Sequence, residues 1–111
     1  MMSFNEYQNK TAKTAVYPGQ RAVAGLAYCG LGLGEAGEVQ GKIKKVIRDD
    51  DGVLTNEAGA KIAAELGDLL WYISQTATEI GVKLEDVANG NLVKLASRHE
   101  RGVIQGSGDD R

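Results

Sequence analysis

Four acidic residues in two short segments have the spacing expected of a divalent-cation site. Glu35 and Glu38 stand three residues apart, and Glu65 and Asp68 repeat that spacing. Residues three apart lie on one face of a helix, so each pair would place two carboxylates side by side. Carboxylate oxygens suit Mg²⁺ and Mn²⁺, whereas Zn²⁺ and Cu²⁺ favour imidazole and thiolate ligands. The two pairs together predict a magnesium site, with manganese as the alternative metal.

The helices that carry these pairs are predicted to form an antiparallel hairpin. Apolar residues recur every three or four positions over residues 20–47 and 55–80, which predicts two long helices. The acidic run at residues 48–52, which ends in glycine, predicts the loop between them. Glu38 lies as far before this loop as Glu65 lies after it, roughly 13 Å in each helix. The hairpin should therefore bring Glu38 level with Glu65.

Two further helices are predicted at the ends of the chain. Ser3 and Glu6 have the spacing of a capping box, which predicts a helix over residues 4–15. The apolar pattern predicts another over residues 83–101, and strand patterns are absent. Residues 1–111 should thus form a single all-α domain, a four-helix bundle built around the hairpin, with a flexible tail at 102–111. A domain of this size has modest stability alone, so self-association is expected.

Composition restricts the classes of function. The formal net charge of −2 argues against a protein that grips a nucleic-acid polymer, because such proteins usually present a net basic face. The longest uncharged run, residues 22–34, is too short to span a bilayer, and the N-terminus lacks a secretory signal pattern. The single cysteine, Cys29, cannot form an internal disulfide. A cytoplasmic protein without membrane partners is predicted.

The acidic and glycine-rich segments also match patterns of other functional classes. Residues 32–37 spell the dinucleotide fingerprint GxGxxG, but no strand precedes them and Glu35 would place a negative charge in the phosphate loop. His99 is not part of an ExxH pair, which disfavours a di-iron centre. Paired carboxylates on exposed helices also occur without catalysis. The alternative function is therefore a non-catalytic helical assembly or regulatory module with a structural cation site.

The segments GLGEAGEV and ELGDLLWYI resemble the MazG-type family of all-α nucleoside triphosphate pyrophosphohydrolases. The family hallmark is ExxE, a variable gap and then ExxD, and the resemblance covers most of the chain. It implies hydrolysis of (d)NTP to (d)NMP and pyrophosphate, for example in house-cleaning of the nucleotide pool, with Mg²⁺ held by Glu35, Glu38, Glu65 and Asp68. A carboxylate that the metal does not saturate can activate the attacking water. Glu38 and Glu35 are the catalytic candidates, and Glu38 is our choice of base.

The resemblance also implies roles for residues near the C-terminus. Asn91 and Lys94 match the family's NxxK element, in which the lysine would pair with phosphate and the asparagine with phosphate or sugar. Arg98 and Arg111 would add positive charge near the triphosphate. The family further implies a homodimer or homotetramer, and a phosphoribosyl-ATP pyrophosphohydrolase of the same superfamily is an alternative. Trp71, inside an apolar run, is predicted to pack in the core rather than to stack on a base.

Overall fold

The first helix begins after Ser3, the residue that the sequence predicts as its N-cap. In the computed structural model, which describes residues 1–111, α1 spans Phe4–Thr11 and the Ser3 hydroxyl accepts a hydrogen bond from the Glu6 backbone N–H at 3.1 Å. A 3₁₀ turn over Ala12–Thr14 follows it. The predicted helix over residues 4–15 is thus confirmed in position, although its last turn is tighter than an α-helix.

The predicted long helix over residues 20–47 is interrupted, which corrects the expectation of one continuous element. It begins later, because Arg21 adopts a φ of +66° that ordinary helix excludes. Helix α2 spans Val23–Gly32, a 3₁₀ turn covers Leu33–Glu35, and α3 spans Ala36–Asp49. The break falls in the glycine-rich stretch, where each glycine weakens the α-helix by about 1 kcal/mol relative to alanine. Glu35 therefore stands at a junction between two helices.

Helix α4, Asn56–Glu79, is the centre of the molecule and contacts the other four helices. The Thr55 hydroxyl caps it by accepting a hydrogen bond from the Ala58 backbone N–H at 3.1 Å. Gly81, with a φ of +75°, follows its end. Helices α3 and α4 form the predicted hairpin, and their connection contains Gly52 in the left-handed region. The element boundaries predicted for α4 are confirmed.

Helix α5, Leu84–Glu100, is fixed mainly at its first turn. The Gln8 side chain accepts a hydrogen bond from the Leu84 backbone N–H at 2.8 Å and donates one to the Val82 carbonyl at 2.9 Å. Asn5 similarly bonds the backbone and side chain of Glu85. All five helices are joined without any strand, so the predicted all-α fold is confirmed. None of these helices is both long enough and apolar enough to cross a membrane.

The isolated chain has a small core and an open shape. Its radius of gyration is 16.9 Å, compared with about 13 Å for a typical 100-residue domain. The buried apolar residues are few: Tyr17, Cys29, Val46, Ala77 and Leu84. Several large apolar side chains are mostly exposed instead, among them Val23 at 82%, Leu31 at 83% and Val93 at 70%. Many of the large apolar side chains of the chain are therefore in contact with water.

Candidate metal centre and adjoining cavity

Three of the four predicted acids converge on one point. One carboxylate oxygen each from Glu35, Glu65 and Asp68 lies within 4.8 Å of the others. Glu35 comes from the 3₁₀ turn before α3, whereas Glu65 and Asp68 lie one turn apart in α4. Oxygens that share a Mg²⁺ ion lie at most about 4.2 Å apart, since each Mg–O distance is 2.0–2.1 Å. Small side-chain rotations would therefore let these three oxygens bind one ion.

Glu38 lies outside this group of three. It is an exposed residue of the first turn of α3, close enough that its charge acts on Glu35. The equal arms of the hairpin had suggested that Glu38 would face Glu65, but Glu35 is the residue that meets it. The 3₁₀ turn accounts for this, because it turns the chain by about 120° per residue rather than 100°. A direct metal-binding role for Glu38 stays a prediction.

The electrostatics of the centre fit a cation. Partial burial raises the pKa of Glu35, and the nearby charges of Asp68, Glu38 and Glu65 raise it further. No lysine or arginine forms an ion pair with any of these acids. Uncompensated negative charge of this kind disfavours the ionised form until a cation neutralises it. A donor set made only of carboxylate oxygens suits a hard divalent ion such as Mg²⁺.

We expect the metal-free protein to lose stability as the pH rises from the ordinary glutamate pKa of 4.5 towards neutrality. The folded state binds the Glu35 proton more tightly than the unfolded state does, so losing that proton destabilises the fold. Hydrogen bonds from arginine lower the pKa values of Asp49 and Asp109. These two residues therefore make the fold more stable as the pH rises, but their effect falls at a more acid pH. Thermal unfolding in EDTA over a pH series checks this.

Two controls define the outcome of that pH series. Glu35→Gln should make the melting temperature less dependent on pH. In excess Mg²⁺ the melting temperature should rise with pH instead of falling, because the cation competes with the proton for the same oxygens. A metal-free protein whose melting temperature rises steadily between pH 5 and 7 would contradict the crowding of the three acids.

A cavity of about 430 Å³ opens beside the acids. Its walls combine four aromatic rings with two of the converging carboxylates; these residues are Tyr17, Tyr28, Trp71, Tyr72, Glu35 and Asp68. The volume lies in the range of small-molecule sites, which are typically apolar with a few polar groups. Trp71 is half-buried in the wall of this cavity and does not belong to the buried core that the sequence had suggested. The cavity and the acids thus form one continuous site.

The aromatic walls are held in place by contacts with each other and with the Thr14 side chain. The rings of Tyr17 and Tyr28 stack with centroids 5.1 Å apart, and Trp71 meets Tyr72 edge to face at 5.1 Å. The Trp71 indole N–H donates a hydrogen bond to the Thr14 hydroxyl at 2.8 Å. Each wall ring therefore has fixed neighbours before any ligand binds, which lowers the entropy cost of binding one.

Gly32 makes the close approach of Tyr72 possible. A Cβ atom at position 32 would lie 2.1 Å from the Tyr72 ring, a distance that no side chain tolerates. Tyr72 lines the same cavity as Glu35 and Asp68. Burial, contact with Tyr28 and the charges of these two acids raise the pKa of Tyr72. The sequence carried a signal for this placement, since Asp68 and Tyr72 stand four residues apart and therefore share a face of α4.

A buried polar network supports the far wall of the cavity. The Tyr17 hydroxyl donates to the Glu79 carboxylate and accepts from the Gln75 amide at 3.1 Å. Thr11 donates to the other end of the same Gln75 side chain. Burial and hydrogen bonding to Cys29 and Glu79 raise the pKa of Tyr17, so its hydroxyl keeps its proton. Satisfied buried networks of this kind fix side-chain positions.

The predicted substrate-binding residues of α5 and the C-terminal segment make their contacts outside the cavity. Lys94 and Arg98 contact Asp109 of the C-terminal segment, and Arg111 donates hydrogen bonds to nearby backbone carbonyls. Asn91 is exposed and forms no side-chain hydrogen bond within the chain. None of the four lines the cavity. A single chain thus brings three of the acids together with the aromatic rings, but not with the NxxK element.

Comparison with known proteins gives two findings. The family model for the MazG nucleotide pyrophosphohydrolase domain matches residues 27–103, a range that includes all four acids and the NxxK element. A protein of Mycobacterium phage L5, described only as "Gene 37 protein", is 49% identical over 114 residues, covering 99% of this chain and 100% of that protein. No solved structure matches the chain.

Proposed function

Because this chain belongs to the MazG nucleotide pyrophosphohydrolase family, we propose that it hydrolyses nucleoside triphosphates to monophosphates and pyrophosphate in a Mg²⁺-dependent reaction on the cytoplasmic nucleotide pool. The observation that carries this proposal is the convergence of Glu35, Glu65 and Asp68 at the edge of an aromatic cavity. Acids beside a ring-lined cavity suit a ligand with a planar base at one end and phosphates at the other.

The acids supply the binding site for the metal and the base for the reaction. Glu35, Glu65 and Asp68 would hold Mg²⁺, which when bound offsets the charge of the phosphate oxygens. Glu38, outside the converging group but one turn after Glu35, would accept a proton from the attacking water. The water oxygen would bond to one phosphorus as the bridge between the α- and β-phosphates breaks, which releases pyrophosphate. Glu35, with its raised pKa, is the alternative base.

The aromatic cavity would take the nucleobase. Stacking of a base on an aromatic side chain contributes about 1–3 kcal/mol and tolerates different bases. Trp71 and Tyr72 present ring surfaces to the cavity, and Glu35 and Asp68 lie on its border. A base placed there would direct its phosphates to the acidic centre. This geometry supports a nucleotide as the substrate and leaves the choice among bases to the polar groups of the pocket rim.

We further propose that the working form is a homodimer or homotetramer. The exposed apolar side chains and the open shape of the chain support association, because a second copy could cover Val23, Leu31 and Val93. In such an assembly α5 can lie over the centre of a partner. Asn91 and Lys94 would then reach the phosphates, which they do not approach within one chain.

A pyrophosphate-release assay tests the proposal. The purified protein should release pyrophosphate, and no orthophosphate, from at least one member of a panel of ribo- and deoxyribonucleoside triphosphates and phosphoribosyl-ATP. Release should require Mg²⁺ or Mn²⁺ and stop in EDTA, since the acids alone repel the substrate phosphates. Release of orthophosphate would indicate cleavage at the γ-phosphate instead. If micromolar protein hydrolyses no nucleotide of the panel, the non-catalytic module is the better description.

A further inference from the structure

The C-terminal segment folds back onto α5, where Asp109 contacts Lys94 and Arg98. Arg98 donates a hydrogen bond to the Asp109 carbonyl at 2.9 Å, and its guanidinium lies 3.4 Å from the Asp109 carboxylate. The Lys94 ammonium lies 3.6 Å from the same carboxylate oxygen. Lys94 and Arg98 stand four residues apart and therefore share a face of α5. One carboxylate thus bridges two cations.

The segment is shaped so that this carboxylate reaches them. Gly106 and Gly108 have φ angles of +141° and +84°, which side-chain-bearing residues rarely adopt and which turn the chain back. Arg111 donates hydrogen bonds to the carbonyls of Val103 and Ile104 at 3.1 Å each and so closes the turn. The tail, residues 102–111, is held by its own arginine.

The Lys94–Arg98 pair has the character of an anion site that is already filled. The Arg98 side chain is only 6% exposed, whereas the Asp109 side chain is 87% exposed. A buried guanidinium needs an anionic or carbonyl partner, and Asp109 supplies both. The carboxylate itself remains in water, where an ion pair contributes little and is readily exchanged. A more highly charged anion could therefore displace it.

The family resemblance already implies that Lys94 and Arg98 lie near the substrate phosphates. We propose that Asp109 occupies this pair of cations within the chain, so that the tail competes with the phosphates of the substrate for them. Asp109 would act as an intramolecular stand-in for a phosphate group. Opening the tail exposes two adjacent cations, and a di- or triphosphate supplies more negative charge and more acceptor oxygens than one carboxylate does. The identity of the competing anion as a nucleotide rests on the proposed function, whereas the competition for polyphosphate does not.

Two isosteric variants of the tail test this competition. Asp109→Asn removes the charge that faces Lys94 and Arg98, and Asp110→Asn removes a neighbouring charge that makes no hydrogen bond or ion pair. Binding of inorganic tripolyphosphate is measured by calorimetry in EDTA, so that the acidic centre holds no metal. Asp109→Asn should bind about two- to fivefold more tightly than the wild-type chain, and Asp110→Asn should match the wild type. Lys94→Ala should bind more weakly than either.

The steady-state kinetics give a second readout. If the chain is a pyrophosphohydrolase, Asp109→Asn should lower KM by a similar factor and leave kcat unchanged, because the tail is displaced before the chemical step. Absence of hydrolysis by the wild-type chain would refute the proposed function and leave the calorimetric test intact. Equal tripolyphosphate affinities for Asp109→Asn, Asp110→Asn and wild type would overturn the competition. A weaker affinity for Asp109→Asn would also overturn it, since the carboxylate would then be positioning Arg98 for the anion.

Discussion

Replacing Asp68 by asparagine is expected to lower pyrophosphate release by more than about 100-fold and, in the absence of metal, to stabilise the fold. The loss of activity follows from the geometry, since Asp68 shares one point in space with Glu35 and Glu65. Removing a group that merely orients a metal ligand typically costs 10- to 100-fold, so removing a ligand should cost more. The gain in stability follows from relief of repulsion, because the Asp68 charge raises the pKa of Glu35 more than the charge of either other acid does.

The opposite signs of the two effects separate a metal centre from ordinary surface acids. Activity is measured as Mg²⁺-dependent pyrophosphate release, and stability as the melting temperature in EDTA and in Mg²⁺. Saturating metal, at 100 times its Kd, should stabilise the wild-type chain by about 2.7 kcal/mol, and Asp68→Asn should lose most of that gain. Asp50→Asn, at an exposed position in the connection between α3 and α4, is the matched control and should behave as wild type.

Three outcomes of this experiment are informative. Full activity in Asp68→Asn would remove Asp68 from the catalytic centre. A melting temperature of Asp68→Asn in EDTA below that of the wild-type chain would show that contacts other than the metal stabilise the Asp68 carboxylate. Metal-dependent stabilisation of a wild-type chain that hydrolyses no nucleotide would favour the non-catalytic module with a structural cation site.

Replacing Gly32 by alanine is expected to destabilise the chain by about 1–3 kcal/mol and to weaken nucleotide binding. The added Cβ would overlap the Tyr72 ring, whose nearest atoms lie 2.1 Å from it. Tyr72 cannot yield without losing its contacts with Trp71 and Tyr28, which also line the cavity. The variant should therefore lose conformational stability and nucleotide affinity together.

Gly30→Ala is the matched control for this substitution. Gly30 belongs to the same helix, and a Cβ there would meet nothing within 4 Å. Alanine should accordingly stabilise that position by up to about 1 kcal/mol. Chemical denaturation gives both free energies of unfolding, and the fluorescence of Trp71, the single tryptophan, reports binding of a non-hydrolysable nucleotide. Equal stability of the two variants would show that the Tyr72 ring has another place to go.

Much of the fold was accessible from the sequence because its signals are local. The capping residues Ser3 and Thr55 fix the starts of α1 and α4 through bonds to backbone groups three residues away. The periodic apolar residues of α4 and α5 predicted their lengths. The break between α2 and α3 was missed, because a glycine-rich segment weakens a helix without specifying whether tertiary contacts will hold it.

The sequence by itself determined which residue types could bind a cation, and the tertiary structure decided which of these residues lie together. The doubled acidic pair predicted an oxygen-ligand cation site, since carboxylates three apart must lie together on a helix. Only the tertiary structure shows that Glu38 lies outside the group of converging acids, because the position of Glu38 depends on the 3₁₀ turn at Leu33–Glu35. The aromatic cavity is likewise formed by residues from three parts of the chain, namely α2, α4 and the loop that follows α1. The position of its Tyr72 ring depends on the close approach of Tyr72 to Gly32. Contacts between residues so far apart in the chain leave no periodic trace in it.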